Sequence, residues 1–245
     1  MLPILFVIQI VLISFAAKKT QEAGSINSHQ RRFVNWILLA LVIWGVITSY
    51  LSLNGFYHTE QFLSSLPGIW ITQIAVLIVL IPWIFSQSFR HATNSIIDKT
   101  PLHFIMAFEG IRIAAIGGVI KGYRGEFSPF FAKTIGIPDF LIGIASLIAA
   151  YLIYKGVWKE RSAIVINLLG LLVIVPFAMV FINLGLPGPM YLISETPSLS
   201  TIFDYPMALA PTLVVPIFVM VNLFVVIRLM TRHKKEKNYG SEKEA

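Results

Sequence analysis

Apolar residues run through this chain in long unbroken blocks, and charged residues collect in the short stretches between them. Crossing about 30 Å of hydrocarbon takes roughly 20 helical residues. Seven blocks approach or reach that length: 2–17, 33–53, 69–85, 102–120, 139–154, 163–184 and 209–230. Their continuous apolarity predicts helices, because a membrane strand would alternate apolar and polar positions. The expected fold is all-α, a polytopic transmembrane bundle of seven helices forming a single domain over 1–231, with a basic tail over 232–245. The first block is the shortest. Lys18 and Lys19 follow it and no cation precedes it, the reverse of a cleavable signal peptide, so it is expected as a signal-anchor-like first helix.

Composition narrows the classes further. Apolar residues make up 56% and charged residues 13% of the 245, against about 25% charge in a soluble domain, and mean hydropathy is +0.78. That is too little charge to cover a water-facing surface and too much apolar sequence for disorder, which excludes a soluble enzyme or a flexible linker. The absence of cysteine excludes disulfides, thiolate metal sites, iron-sulfur clusters and a cysteine nucleophile.

The distribution of cations predicts orientation. With the N-terminus outside, fifteen of the nineteen Lys and Arg residues fall on the inner side, three (Lys121, Arg124 and Lys133) on the outer side, and Arg112 within a helix. The expected arrangement therefore has the N-terminus outside and the C-terminus cytoplasmic. The net charge of +7 then reflects topology, and no nucleic-acid partner is expected. The tail from Arg232 to Lys243 reads as a solvated stop-transfer flank, or as a contact for anionic lipid.

Candidate chemistry lies where charge enters hydrocarbon, because such residues are costly and are kept mainly for pairing or function. Glu109 and Arg112 stand three residues apart in the fourth block, on neighbouring positions of one helical face. Two readings stay open. Either the charges neutralise each other and lock the helix to its neighbours, or Arg112 holds an anionic group while Glu109 orients it or exchanges a proton. His103 and Met106 share the same broad face. Ala107, Gly110, Ala114, Gly117 and Gly118 recur at three- and four-residue steps, a pattern that lets helix backbones approach and implies a central place for this helix. The stretch 121–138, rich in Gly, Pro and aromatic residues, is expected to form a compact loop over the bundle mouth. Asp139 would cap the following helix, or pair with Arg124 or Arg112; an inward loop would gather Arg112, Arg124, Glu126 and Asp139 into one outward-facing cluster.

Gln73, Asn167, Asn183, Thr212 and Asn222 are polar positions within blocks, expected to make interhelical hydrogen bonds. Pro82, Pro176, Pro211 and Pro216 should kink or unwind their helices and free carbonyls. Broken helices around a midplane charge are a transporter feature. Enzyme signals are weak: the five histidines are scattered with no metal-ligand spacing, and there is no Gly-x-Ser-x-Gly elbow or phosphate-cradling loop. The seventh block has no lysine for a retinal Schiff base. No metal or cofactor is expected.

Several positions together carry a resemblance: Arg112, Phe131-Ala132, Gly136-Ile-Pro-Asp139, Gly143 with Ala145, Asn167-Leu-Leu-Gly170, Pro206, and Pro211 through Val215-Pro216. On these, residues 101–230 resemble a group of bacterial multi-pass membrane proteins without assigned activity. The resemblance implies an architecture and a bacterial cytoplasmic membrane, and no mechanism. Members often carry Trp where this chain has Ile166 and His where it has Asn222, which argues against metal or haem at that place. The expected function is binding or transport of a small anionic or amphipathic molecule at a site of Arg112, Glu109, His103, Arg124 and Asp139. The alternative is a structural or regulatory subunit, with a membrane protein as partner beyond the lipid bilayer. A membrane-embedded cyclase or isomerase using isolated carboxylates is third.

Overall fold

The computed structural model describes the backbone of residues 1–244 and the side chains of 1–233. Seven helices are long and apolar enough to cross a membrane. We label them, with one shorter surface helix, α1 (Leu2–Glu22), α2 (Ser28–Leu53), α3 (Pro67–Phe85), α4 (Gln87–Lys99), α5 (Leu102–Tyr123), α6 (Pro129–Tyr154), α7 (Glu160–Leu184) and α8 (Ala210–His233). All seven apolar blocks correspond to these seven long helices, each longer than its apolar run because flanking turns are helical too. The helical backbone of α8 continues to Glu244, and the side chains of tail residues Lys234, Lys235, Lys237 and Lys243 lie outside the described residues.

Local chemistry sets the ends of these helices. Gly24, at φ +70°, turns the chain after α1. Asn27 then caps α2 reciprocally: its side chain accepts from Gln30 N and its own N–H donates to Gln30 Oε1, both at 2.9 Å. Pro82 lies in the last turn of α3, and Ser86 caps α4 by accepting from Phe89 N. Arg90 reaches back to the otherwise free carbonyls of Trp83 and Ile84, stacking 5.4 Å from the Trp83 ring. Phe89 and Ala92 seat α4 against the bundle while its polar face stays outward. This end carries most of the cations, and we refer to it as the basic end. Here Arg228 of α8 pairs with Asp98 of α4, and Arg232 with Glu160 of α7.

At the other end the long α7–α8 connection folds inward. Leu186, Leu199, Ile202 and Phe203 are buried with Tyr57 and Phe62, and Ser52 Oγ donates to Phe203 O at 2.7 Å. The 121–138 stretch differs from expectation. Only 124–128 is a loop: α5 persists to Tyr123 and α6 already begins at Pro129. Ser128 caps α6 and, with Phe130 N, donates to the Glu195 carboxylate from the α7–α8 connection. Pro129 suits a first helical turn, where its missing N–H has no partner to lose.

The centre of the bundle is α8, not the charged α5 as the small-residue pattern implied. Within the described residues, 67% of the α8 window is buried, against 39% for α5 and 11% for α1. The small residues of α5 face different neighbours, which is why they do not make one central seam. Gly110 lies against Leu147 of α6, Gly117 against Met1, and Gly118 faces open space. The outer faces of the seven long helices present large apolar side chains such as Val11, Trp36, Ile81 and Leu141.

Candidate functional site

Four helices meet on Arg112, and three of them are interrupted beside it. In α5 the α-helix gives way to a tighter 3-10 stretch over Gly110–Ala115. In α6 a widened π turn, Ala132–Gly136, precedes the turn that carries Asp139. In α7 a second π segment, Val173–Ala178, includes Val175 in extended conformation before Pro176, just past Gly170. The interruption of α8 lies one to two turns from Phe218, at Ala210–Val214. Departures of this kind are tolerated inside a membrane only where protein groups satisfy the freed backbone.

The guanidinium is enclosed. Arg112 is 2% exposed and Glu109 1%. Arg112 Nε stands 3.0 Å from Glu109 Oε2. Its Nη1 donates to Asp139 Oδ1 at 2.8 Å and to Gly170 O at 3.2 Å. With the Asn222 carboxamide assigned nitrogen toward its acceptors, Arg112 Nη2 donates to the Asn222 oxygen at 2.9 Å. The Asn222 nitrogen then donates to Asn167 Oδ1 at 2.7 Å and Glu109 Oε2 at 2.8 Å. Asn167 Nδ2 donates to Ala163 O at 2.8 Å and rests 3.4 Å from Met106 Sδ. The Phe218 ring covers one face of the guanidinium, 5.0 Å from its carbon. A Cβ at Gly170 would come within 3.4 Å of Arg112 Nη1 and 3.0 Å of the Asn222 amide, so glycine keeps this carbonyl accessible.

Two carboxylates thus surround one guanidinium. Asp139 is the more open of them: its side chain is 14% exposed, against 1% for Glu109. Asp139 does not cap a free helix end, since helical residues precede it from Pro129; the π turn hidden in a Gly- and Pro-containing stretch made that end look like a loop. Of the other expected site residues, His103 packs with Phe104 and Tyr154, at ring distances of 4.4 and 5.3 Å, away from the cluster. Arg124 and Glu126 are exposed on the α5–α6 loop and do not join Arg112 and Asp139. Among the described residues no group of three or more His, Asp and Glu side chains is placed to hold a metal ion.

Asn222 and Asn167 turn out to be members of the charged cluster, where sequence alone suggested ordinary interhelical bonds. Phe218 gave no signal beyond lying one turn before Asn222. The model of a family described as a domain of unknown function (DUF8737) matches residues 69–230, and the chain belongs to that family. The matched segment holds every member of the cluster and leaves out α1 and α2. No curated protein and no solved structure matches the chain.

Proposed function

Starting from membership of this family, we propose that the protein binds, and carries through the membrane, a small anionic or amphipathic molecule, with Arg112 as its anchor. The observation that carries this reading is the convergence of three broken helices on one buried guanidinium that faces one carboxylate too many. Both terminal nitrogens of Arg112 already have acceptors within the protein, so an incoming anion competes with a carboxylate for the guanidinium charge. Asp139 is the one to leave: it is the more exposed, and it sits beside a π turn able to shift its register. Glu109, one helical turn from Arg112, would stay as its partner. The proposed setting is a bacterial cytoplasmic membrane, which rests on the resemblance, with the N-terminus outside, which rests on the bias of cations.

The test uses octanesulfonate, an amphipathic anion whose charge does not change with pH, and neutral octyl glucoside as control. Thermal unfolding in dodecyl maltoside should shift upward with octanesulfonate alone, more strongly in Asp139→Asn, and not at all in Arg112→Gln. No shift in wild type or in Asp139→Asn would refute the anchor. A second reading, a structural or regulatory membrane subunit, is favoured by one observation: both terminal guanidinium nitrogens already have partners within the protein. It predicts a co-purifying membrane protein and no response to the probe.

A further inference from the structure

A second feature lies away from the charged cluster. A groove of about 870 Å³ runs between α1 and α2 on one side and α4, α5 and α8 on the other, a volume within the roughly 300–1,000 Å³ typical of small-molecule sites. Its walls are apolar along nearly their whole length. The polar lining groups are Lys19, Thr20, Thr93, Lys99 and Thr100, and all five sit at the basic end. Met1 lies against Gly117 near the far end of α5. Leu12 and Phe15 on α1 and Phe104 on α5 are exposed along its rim, so the groove opens sideways toward lipid.

Its dimensions match one half of a bilayer. From Ile8 to Lys19, both lining residues, eleven helical steps at about 1.5 Å span about 16 Å, which is half of the roughly 30 Å hydrocarbon thickness. Lys99 makes no ion pair among the described residues. Lys19 shares Glu22 with Lys18, leaving that turn one positive charge in excess. The three threonine hydroxyls each donate to a carbonyl of their own helix, so the lysines carry the polar end, and an apolar slot one leaflet deep that ends at two lysines has the polarity profile of a lipid with a negative headgroup.

We propose that this groove holds an acyl chain of an anionic phospholipid whose phosphate lies between Lys19 and Lys99. The proposal is independent of ligand binding at Arg112. Native mass spectrometry of the full chain, delipidated in mild detergent and supplied with phosphatidylglycerol or phosphatidylcholine of matched chains, tests it. Wild type should retain phosphatidylglycerol with a preference of about fivefold per lysine. Lys19→Ala with Lys99→Ala, at exposed positions, should abolish the preference while keeping weak binding of both lipids. Ala16→Trp, which fills the groove, should remove both. Arg112→Gln should leave lipid retention unchanged, which separates failure here from failure of the anchor reading. Equal retention of the two lipids by wild type, a preference that survives the double lysine variant, or a protein segment found in the groove would each overturn the proposal.

Discussion

Arg112 brings one positive charge to two carboxylates, and that inequality predicts how unevenly its neighbours tolerate substitution. Glu109→Gln leaves a one-to-one pair between Arg112 and Asp139 and keeps an acceptor for Asn222. Its cost should stay near about 1 kcal/mol, the scale of one hydrogen bond. Arg112→Gln strands two buried acids and should cost about 3–5 kcal/mol, as breaking a buried pair does. Adding Glu109→Gln to Arg112→Gln should then recover part of the loss, which a double-mutant cycle on unfolding in detergent would read directly. Equal losses for the two single variants would show that the charge count does not govern the site. The Glu109–Arg112 pair was legible in the sequence because both residues lie on one turn of one helix. The sequence fits Asp139 as either a cap or a partner, since Gly136 and Pro138 resemble loop residues and only the fold shows helix on both sides. The place of Asn222 depended on which face of α8 meets α5 and α7, which no local pattern encodes.

At the scale of helices, the interruptions are held open by polar side chains from neighbours. Pro216 has no N–H to give the carbonyl of Thr212 four residues earlier. Trp44 of α2 supplies that donor through Nε1 at 2.9 Å, and Gln9 of α1 donates to Val214 O at 3.1 Å. Gln9 is fully buried, and its position in the first apolar block gave no sign of this role. Trp44→Phe should therefore cost about 1–3 kcal/mol, the penalty of an unsatisfied buried group. Pro216→Ala restores a backbone donor, and Trp44→Phe in that background should cost less; an undiminished cost would mean that the bond is not what Trp44 contributes. Close packing of α6 bears on a different interruption, that of α5 at Gly110–Ala115. A Cβ at Gly143 would meet Ile113 N at 2.5 Å and Arg112 C at 2.9 Å, both backbone atoms that cannot rotate away. Gly143→Ala should destabilise and disturb Arg112, whereas Gly118→Ala, where nothing lies within 4 Å, should be neutral or stabilise by up to about 1 kcal/mol. Comparable unfolding temperatures for the two variants would contradict this division of the small residues into packing and idle positions.

Across the whole molecule, seven apolar runs were enough to identify the number of helices long and apolar enough to cross a membrane, while the order of burial was not readable from them. Hydropathy scores how well a residue tolerates hydrocarbon, and both lipid and protein interior satisfy it equally. Only assembly distinguishes α8, buried on most sides, from α1, which lies at the edge. Orientation depends instead on the cations. The basic end joins Lys18, Lys19, Arg31, Arg32, Arg90, Lys99, Lys155, Lys159 and Arg161 with the end of α8, while the other end holds Glu60 and Glu195 and only the cations Lys121, Arg124 and Lys133 around the α5–α6 loop. The positive-inside rule would put the first group on the cytoplasmic side, the orientation proposed above. Because the chain contains no cysteine, single substitutions report on this without background. Gln61→Cys, exposed beyond α2, should react with a membrane-impermeant maleimide in intact cells, and Lys159→Cys, exposed between α6 and α7, should react only after the membrane is opened. Labelling in the reverse order would invert the topology, and with it the leaflet from which the groove between α1 and α5 draws its lipid.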